Sequence, residues 1–350
     1  MTRPQPEAMS DPLTEPLHSN PEVRLSAQEV AWPLVGVVIL NWNGWQDTVQ
    51  AVSSFRLSSY KPLRVYVVDN ASSDGSVAQL RAWDPALTII EAGANLGWSG
   101  GNNVGIVAAR RDGCRHVLLF NNDALCCEDT VSSLVAALQT LPDAACVGSR
   151  IMSQSDPDWV EFGGSVIDDR TQMPRQLHGR LSEFMQPVPL QATVAIKGCS
   201  MLLTEMGIAR LGLLTEDYFL NFDETDWCYR ANAVGMRSYL AWNSVAFHKG
   251  AVSFGGTGGP LYRYFITRNR LLFARRHLNL TGRWFAWRGA FWELRQALKF
   301  RSRRVKGGTQ FAAAYFLSVS VMRAVLDYCS GRFGDCPALI RELNGRFRDA

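Results

Sequence analysis

The chain has 350 residues, 47% hydrophobic and 19% charged, which is typical of a globular protein that buries roughly three quarters of its unfolded surface. Eight cysteines without CxxC spacing, and no signal peptide, argue against a disulfide framework and favour a reducing cytoplasm. The net charge of +4 hides an asymmetry, because residues 261–350 carry 18 Lys and Arg against 5 Asp and Glu, a net of +13. A basic final quarter indicates an anionic surface or partner.

The first 32 residues differ in character from the rest of the chain. They carry five prolines among polar residues and lack a sustained apolar period, so they predict a disordered leader. The leader has no apolar core long enough to anchor the chain in a membrane.

Strand and helix patterns alternate after the leader. Apolar runs at 34–40 and 117–120, and mainly apolar segments at 63–68 and 87–91, predict strands, and the intervening segments predict helices. This alternation predicts an α/β domain over residues 33–260, with a doubly wound, mostly parallel central sheet and helices on both faces.

Polar residues follow each of these four strands. Because ligands in open α/β sheets bind beyond the carboxyl ends of the strands, four such loops predict a polar crevice suited to a nucleotide. Asp123 follows the fourth strand, where its carboxylate could hold a divalent cation against phosphates; an ordinary Asn/Asp turn is the alternative. The glycines at 97–101 lack the GxGxxG order, which argues against NAD.

Further strands are predicted at 145–152, 160–167, 194–203 and 244–247. Asp223, Glu224 and Asp226 open a predicted helix, where acids suit the helix dipole. Their mutual crowding also raises at least one pKa towards that of a general base. His248 follows the last strand and is either a ligand or a structural histidine.

Six motifs follow the strands and loops of the chain in order: VVILNWNG, VVDNASSDGS, NLGWSGGNNVG, LLFNNDA, KGCSMLL and FDETDWCYRANAVG. A seventh motif, RYFITRNRLLFARRH, comes after them. Together they resemble the family 2 inverting glycosyltransferases with a GT-A fold, and in particular bacterial rhamnosyltransferase-like enzymes, of which the seventh motif is typical. The resemblance covers about residues 34–277.

The resemblance implies a role for each strand-end loop. Asp123 ends the DxD-type motif and is the implied metal ligand, together with the later His248. Asn121 replaces the usual first Asp, which removes one charge and leaves metal affinity more dependent on Asp123. The implied nucleotide-binding residues are Asn41, Asn43, Asp69, Asn70, Asn95, Gly97, Asn121 and Asn122.

The family's acidic cluster falls on residues 223–226. Its second position is commonly the catalytic base, which implies Glu224, with Asp226 as the alternative and Asp223 beside them. Glu in place of Asp lengthens the reach of the base. Gly198 and Trp227 are the expected acceptor-binding residues.

The implied activity is a metal-dependent hexosyltransferase of cell-surface polysaccharide synthesis, with Mg²⁺ or Mn²⁺ as cofactor. It would move rhamnose or a similar hexose from a dTDP- or UDP-sugar to a saccharide or polyprenyl-diphosphate-linked acceptor, without a nucleic-acid partner. One alternative is an inactive nucleotide-sugar-binding protein, which the intact acids at 123, 224 and 226 disfavour. The other is a sugar-1-phosphate nucleotidyltransferase, which NWNG disfavours because it lacks Arg and Lys.

Residues 261–350 predict a helical, basic C-terminal region. Tryptophan beside basic residues is typical of an interfacial helix, although a core helix fits equally well. The twelve uncharged residues 311–322 are too few to span a bilayer. We expect peripheral binding to the anionic inner face of a bacterial cell membrane, aided by the basic cluster at 301–306. The aromatic and apolar stripe consists of Trp284, Trp287, Phe291, Leu294 and Leu298.

Overall fold

The computed structural model describes residues 32–184, 188–250, 258–299 and 309–348. The described residues from Pro33 onward belong to one compact unit. Apart from Trp32, the predicted leader lies outside the described residues, and so does the basic cluster at 301–306.

Four parallel strands form one half of the central sheet. Strand β1 (Val35–Asn41) lies between β2 (Leu63–Asp69) and β4 (His116–Asn121), and β3 (Thr88–Glu91) pairs with β2. The apolar side chains of β1 are buried, as expected for a parallel strand covered on both faces. The predicted α/β fold with its mixed, mostly parallel central sheet is confirmed.

Strands from the second half of the domain extend this sheet. Strand β12 (Ser200–Leu203) runs antiparallel between β4 and β6 (Ala144–Ser153), and β13 (Arg237–His248) lies parallel to β6. The predicted strand at 160–167 is broken into two because Gly163 and Gly164 interrupt it. The remaining strands are β5 (Ala124–Cys126), β7 (Trp159–Phe162), β8 (Ser165–Ile167), β9 (Pro174–Gln176), β10 (Gly179–Arg180) and β11 (Leu190–Thr193).

Glycines allow a helix to lie close to the parallel strands. On α3 (Gly97–Arg111), a β-carbon at Gly101 would lie 2.3 Å from Leu40, and one at Gly105 would lie 2.2 Å from Val38. Glycine inside a helix costs about 1 kcal/mol relative to alanine, so close packing accounts for these residues. The other helices up to residue 233 are α1 (Trp45–Arg56), α2 (Ser76–Trp83), α4 (Thr130–Leu138), α5 (Glu205–Leu211) and α6 (Asp223–Ala233).

The C-terminal region is helical, as predicted. Helix α7 (Pro260–His277) is largely buried, and its Tyr264 and Phe265 pack with Phe219 of the preceding α/β region. The C-terminal helices therefore share apolar cores with the segment that leads into α6. They are α7 (Pro260–His277), α8 (Leu280–Lys299), α9 (Thr309–Cys329) and α10 (Ala338–Arg348).

Candidate functional site

The polar strand-end loops meet at one edge of the sheet. Strand register places Asn41 opposite Asp69 and Leu40 opposite Asn121, so β1, β2 and β4 end at the same level. This is the arrangement expected from their parallel order.

A buried network ties the first two loops together. The Asn41 side-chain amide donates to the Asp69 carboxylate at 2.8 Å, and the Thr48 hydroxyl donates to the side-chain oxygen Oδ1 of Asn41 at 2.7 Å. Asp69 also accepts the backbone N–H of Ser72 at 2.9 Å, and Asn43 accepts that of Ser73 at 2.8 Å. Asn41, Asn43 and Asp69 are therefore engaged with the loops themselves, and they do not line the cleft in front of them.

The other predicted nucleotide-binding residues do line that cleft, which we call the strand-end cleft. The Asn70 amide donates to the Gly97 carbonyl at 3.0 Å and to Asn95 at 3.1 Å, which fixes both loops. Gly97 has a positive φ of 72°, and a β-carbon there would lie 2.2 Å from the Phe219 carbonyl oxygen. The strand-end cleft is lined by Leu40, Trp42, Asn70, Asn95, Gly97, Trp98, Asn121, Asn122, Asp123, Phe219, Leu220, Leu261, Phe265 and Arg341.

A second cavity adjoins the first and shares Trp98, Asn121, Asp123 and Leu220 with it. We call it the acidic cleft because three of its additional lining residues are carboxylic acids. These additional residues are Glu161, Gln176, Lys197, Gly198, Cys199, Asn221, Asp223, Glu224, His248, Gly250 and Tyr262.

A chain of four ionisable groups crosses the acidic cleft. His248 Nε2 lies 3.3 Å from Asp123 Oδ1, and His248 Nδ1 lies 2.7 Å from Glu161 Oε2. Lys197 Nζ donates to the same Glu161 oxygen at 2.9 Å. Burial lowers the pKa of His248, but hydrogen bonds with Asp123 and Glu161 outweigh burial and raise that pKa to about 9.

Asp123 and His248 offer the first ligands for a divalent cation. A carboxylate oxygen and an imidazole nitrogen suit Mn²⁺, and a carboxylate suits Mg²⁺. Glu161 behind His248 resembles the carboxylate that orients a metal-bound histidine. Within the described ranges, no group of three or more acidic, His or Cys side chains is arranged to hold a metal, so a cation would need oxygens from its substrate.

Two acids at the start of α6, Asp223 and Glu224, also line the acidic cleft. Asp223 is buried, and its Oδ2 has no hydrogen-bond partner among the described residues. Burial and the neighbouring Glu224 raise the pKa of the Asp223 carboxyl well above its usual range. Glu224 is partly exposed to the cleft, so it can accept a proton from a bound molecule.

Asp226 faces away from the cleft. Its carboxylate accepts hydrogen bonds from Thr215 at 2.7 Å and Tyr218 at 3.0 Å, and it pairs with Arg230 at 3.0 Å and His277 at 2.7 Å. Burial opposes ionisation, but these partners lower the pKa of Asp226 to about 2. The geometry therefore does not favour the alternative assignment of Asp226 as the base.

The two predicted acceptor-binding residues have different surroundings. Trp227 is fully buried in the main core and donates to the Gly212 carbonyl at 3.2 Å, so the structure does not place it in the cleft. Gly198 does line the acidic cleft, and a β-carbon there would lie 2.5 Å from the Trp98 ring. A small residue is thus required by the packing of Trp98.

Sequence reasoning missed Glu161 and Asn221. Glu161 lies on β7, 87 residues before His248, and no local motif marks it. Asn221 lies beside the acids, and its buried Nδ2 has no partner in the described part of the chain. The Asn221 Nδ2 and Asp223 Oδ2 atoms, both buried and without partners among the described residues, indicate a polar ligand in the acidic cleft.

The sheet and its strand-end cleft define a GT-A-type α/β fold. Residues 36–206, just under half of the chain, match the family model described as Glycosyl transferase family 2. This match confirms the resemblance given by the sequence motifs. Glu224 and His248 lie beyond the matched residues.

Comparisons with individual proteins agree with this family. The chain is 25% identical over 246 residues to the low-salt glycan biosynthesis hexosyltransferase Agl10 of Haloferax volcanii, covering 68% of this chain and 74% of that protein. It is 23% identical over 292 residues to N-acetylglucosaminyl-diphospho-decaprenol L-rhamnosyltransferase of Mycobacterium tuberculosis, covering 76% and 91%. The solved structure of GalNAc-T7 with UDP, GalNAc and Mn²⁺ shares the fold, with a TM-score of 0.56 at 12% identity over 86% of this chain and 58% of that chain.

Proposed function

We propose that the protein is an inverting, metal-dependent transferase that moves a rhamnosyl or similar hexosyl group from a dTDP- or UDP-sugar to a saccharide or lipid-diphosphate-linked acceptor. The observation that carries the proposal is the junction of the two clefts at Asp123 and Trp98. A nucleotide in the strand-end cleft would direct its diphosphate towards Asp123. The sugar would then face the acids at the start of α6.

We assign the divalent cation to Asp123 and His248, with oxygens of the donor diphosphate completing its shell. When bound, such a cation neutralises charge that develops on the leaving diphosphate. Glu161 accepts from His248 and holds the imidazole in place, and Lys197 in turn donates to Glu161. The presence of Mn²⁺ in the GalNAc-T7 structure supports this choice of cofactor.

Glu224 is the proposed general base. It takes the proton of an acceptor hydroxyl while that oxygen attacks the anomeric carbon, and the bond to the diphosphate oxygen breaks on the opposite side. The nucleoside diphosphate leaves, and the anomeric configuration inverts. Burial and the neighbouring Glu224 raise the pKa of the Asp223 carboxyl, which disfavours a negative charge on that buried acid.

The relatives support a sugar-diphosphate-lipid acceptor. The mycobacterial relative is described as a rhamnosyltransferase of N-acetylglucosaminyl-diphospho-decaprenol, and this chain covers 91% of it. Among the helices in the described ranges, none combines the length and apolarity needed to cross a bilayer. A lipid-linked acceptor would then require the enzyme to bind at the membrane surface.

Helix α8 is suited to such surface binding. Apart from Glu293, the buried residues of α8 are small, as at Gly282, Ala286 and Ala290, whereas four aromatic side chains are exposed. This is the reverse of a core helix, in which large apolar residues are buried. We therefore propose that α8 inserts into the interface of an anionic membrane. The exposed aromatic residues are Trp284, Trp287, Phe291 and Trp292.

Co-sedimentation with phosphatidylglycerol vesicles tests the membrane proposal. Replacing Trp287 and Trp292 together with Gln should weaken binding, and added salt should weaken it further. Val107→Gln is the matched control, because Val107 is similarly exposed on α3. Absence of binding at low salt, or equal losses in both variants, would contradict the proposal.

Transfer activity can be tested with dTDP-L-rhamnose, Mn²⁺ and N-acetylglucosaminyl-diphospho-polyprenol. The expected product is the rhamnosylated lipid, with inverted anomeric configuration by NMR and release of dTDP. Tight donor binding without turnover across a panel of dTDP- and UDP-sugars would favour the inactive binding protein. Release of pyrophosphate from a nucleoside triphosphate and a sugar 1-phosphate would favour the nucleotidyltransferase.

A further inference from the structure

A strained loop leads directly into the acidic start of α6. We call residues 217–222 the base loop, because Asp223 and Glu224 follow it. Phe219, Asn221 and Phe222 have φ values of 62°, 67° and 71°, a left-handed conformation that costs energy for residues other than glycine. Such strain persists only when the surrounding structure holds the backbone.

Asn269 of α7 holds the base loop from one side. Its side-chain amide donates to three carbonyl oxygens of the loop, those of Tyr218 at 2.8 Å, Leu220 at 2.7 Å and Asn221 at 3.1 Å. Asn269 is fully buried, so these bonds are shielded from competing water. One side chain thus binds three carbonyl oxygens of the base loop, one of which belongs to the positive-φ residue Asn221.

Arg268 reinforces this arrangement. It is fully buried, and its guanidinium donates to the carbonyl oxygens of Asp217 at 3.2 Å and Tyr218 at 3.1 Å. Its Nε also donates to the side-chain oxygen Oδ1 of Asn269 at 3.0 Å. That bond orients the Asn269 amide so that its N–H groups point to the loop.

The base loop is also tied to the strand-end cleft. The backbone N–H of Trp98 donates to the Phe219 carbonyl oxygen at 2.6 Å. The loop therefore lies between the start of α3, which lines the strand-end cleft, and the buried face of α7. Its conformation fixes the direction in which α6 begins, because Phe222 is the N-cap residue of that helix.

We infer that Asn269 and Arg268 are positioning residues that hold the base loop and thereby aim Asp223 and Glu224 into the acidic cleft. The inference rests on the proposed function, in which Glu224 is the base. It assigns a task to the Arg-Asn pair within the RYFITRNRLLFARRH segment of the C-terminal region. These helices then contribute to catalysis as well as to the proposed membrane contact.

The test compares Asn269→Asp with Thr267→Val. The first change keeps the size of the side chain but replaces its donor amide with an acceptor that faces three carbonyl oxygens. The second is the matched control, because Thr267 is fully buried on the same helix and its hydroxyl has no partner among the described residues. Arg268→Lys provides a second variant if Asn269→Asp does not fold.

With dTDP-L-rhamnose and the lipid acceptor, Asn269→Asp should lower kcat per folded molecule about 10-fold to 100-fold, as expected when a catalytic group is displaced by about 1 Å. The Kd of dTDP with Mn²⁺ should stay within about threefold of wild type, because the metal and nucleotide residues are unchanged. Amide hydrogen exchange over residues 217–226 should become faster in Asn269→Asp and not in Thr267→Val.

A kcat equal to that of Thr267→Val would overturn the inference, and so would a loss confined to dTDP affinity. If the wild-type protein transfers no sugar from any donor, the proposed function fails instead. In that case amide hydrogen exchange still tests whether Asn269 holds the base loop, and unchanged exchange in Asn269→Asp would overturn that role.

Discussion

Asp226→Asn separates a structural carboxylate from a catalytic one. The substitution keeps the shape of the side chain but removes its charge and replaces one acceptor oxygen with an N–H₂ donor. The carboxylate is 1% exposed and has four partners, Thr215, Tyr218, Arg230 and His277. At least one of these donors would lose its acceptor in the variant.

The expected loss of stability in Asp226→Asn follows from the lowered pKa of Asp226. A fall from the ordinary value of 3.8 to about 2 corresponds to about 2 kcal/mol of stability. Because the folded-state pKa is lowered, this contribution is fully present above about pH 4 and is lost as the pH falls through about 2. Leaving Arg230 without its carboxylate partner adds to the loss, so we expect a destabilisation of about 3 kcal/mol at pH 7.5.

The assay pairs urea unfolding at pH 7.5 with transfer activity measured well below the melting temperature. We expect the free energy of unfolding from urea titrations to be lower by about 3 kcal/mol, with kcat per folded molecule within a few-fold of wild type. A catalytic base would give the opposite result, a kcat lower by roughly 10²–10⁴-fold with unchanged stability. That outcome would refute the assignment of Asp226 to the scaffold.

Two further predictions concern the metal and the pH dependence of stability. Asp123→Ala should abolish the Mn²⁺-dependent part of dTDP binding in calorimetric titrations of the folded variant; retained Mn²⁺ dependence would exclude Asp123 as a ligand. Burial lowers the pKa of His116 to about 4, so the unfolded chain binds more protons between about pH 6.5 and 4, and the free energy of unfolding should fall as pH falls through this window. His116→Asn should remove that slope in urea titrations, and an unchanged slope would show that other groups cause it.

The parallel half of the fold was predictable because its strands are mainly apolar segments that stop at polar loops. The burial of β1 and the alignment of Asn41 with Asp69 follow from that pattern. Glu161 was not predictable, since antiparallel pairing of β7 with β6 brings it to His248 and no local periodicity encodes that pairing.

The acidic cluster shows what helical geometry adds to a motif. Residues two positions apart on an α-helix point about 200° apart, so Glu224 and Asp226 lie on different sides of α6. That difference in direction could be inferred from the sequence. The partners of Asp226 were not available, because His277 lies 51 residues away on α7.

The central claim is that Glu224 is the base of a glycosyl transfer reaction whose donor is held beside Asp123. The most direct measurement is single-turnover transfer from dTDP-L-rhamnose by Glu224→Gln, with the Kd of dTDP and Mn²⁺ measured on the same preparation. We predict a rate lower by roughly 10²–10⁴-fold with a Kd within a few-fold of wild type. A variant that turns over at the wild-type rate would contradict the claim.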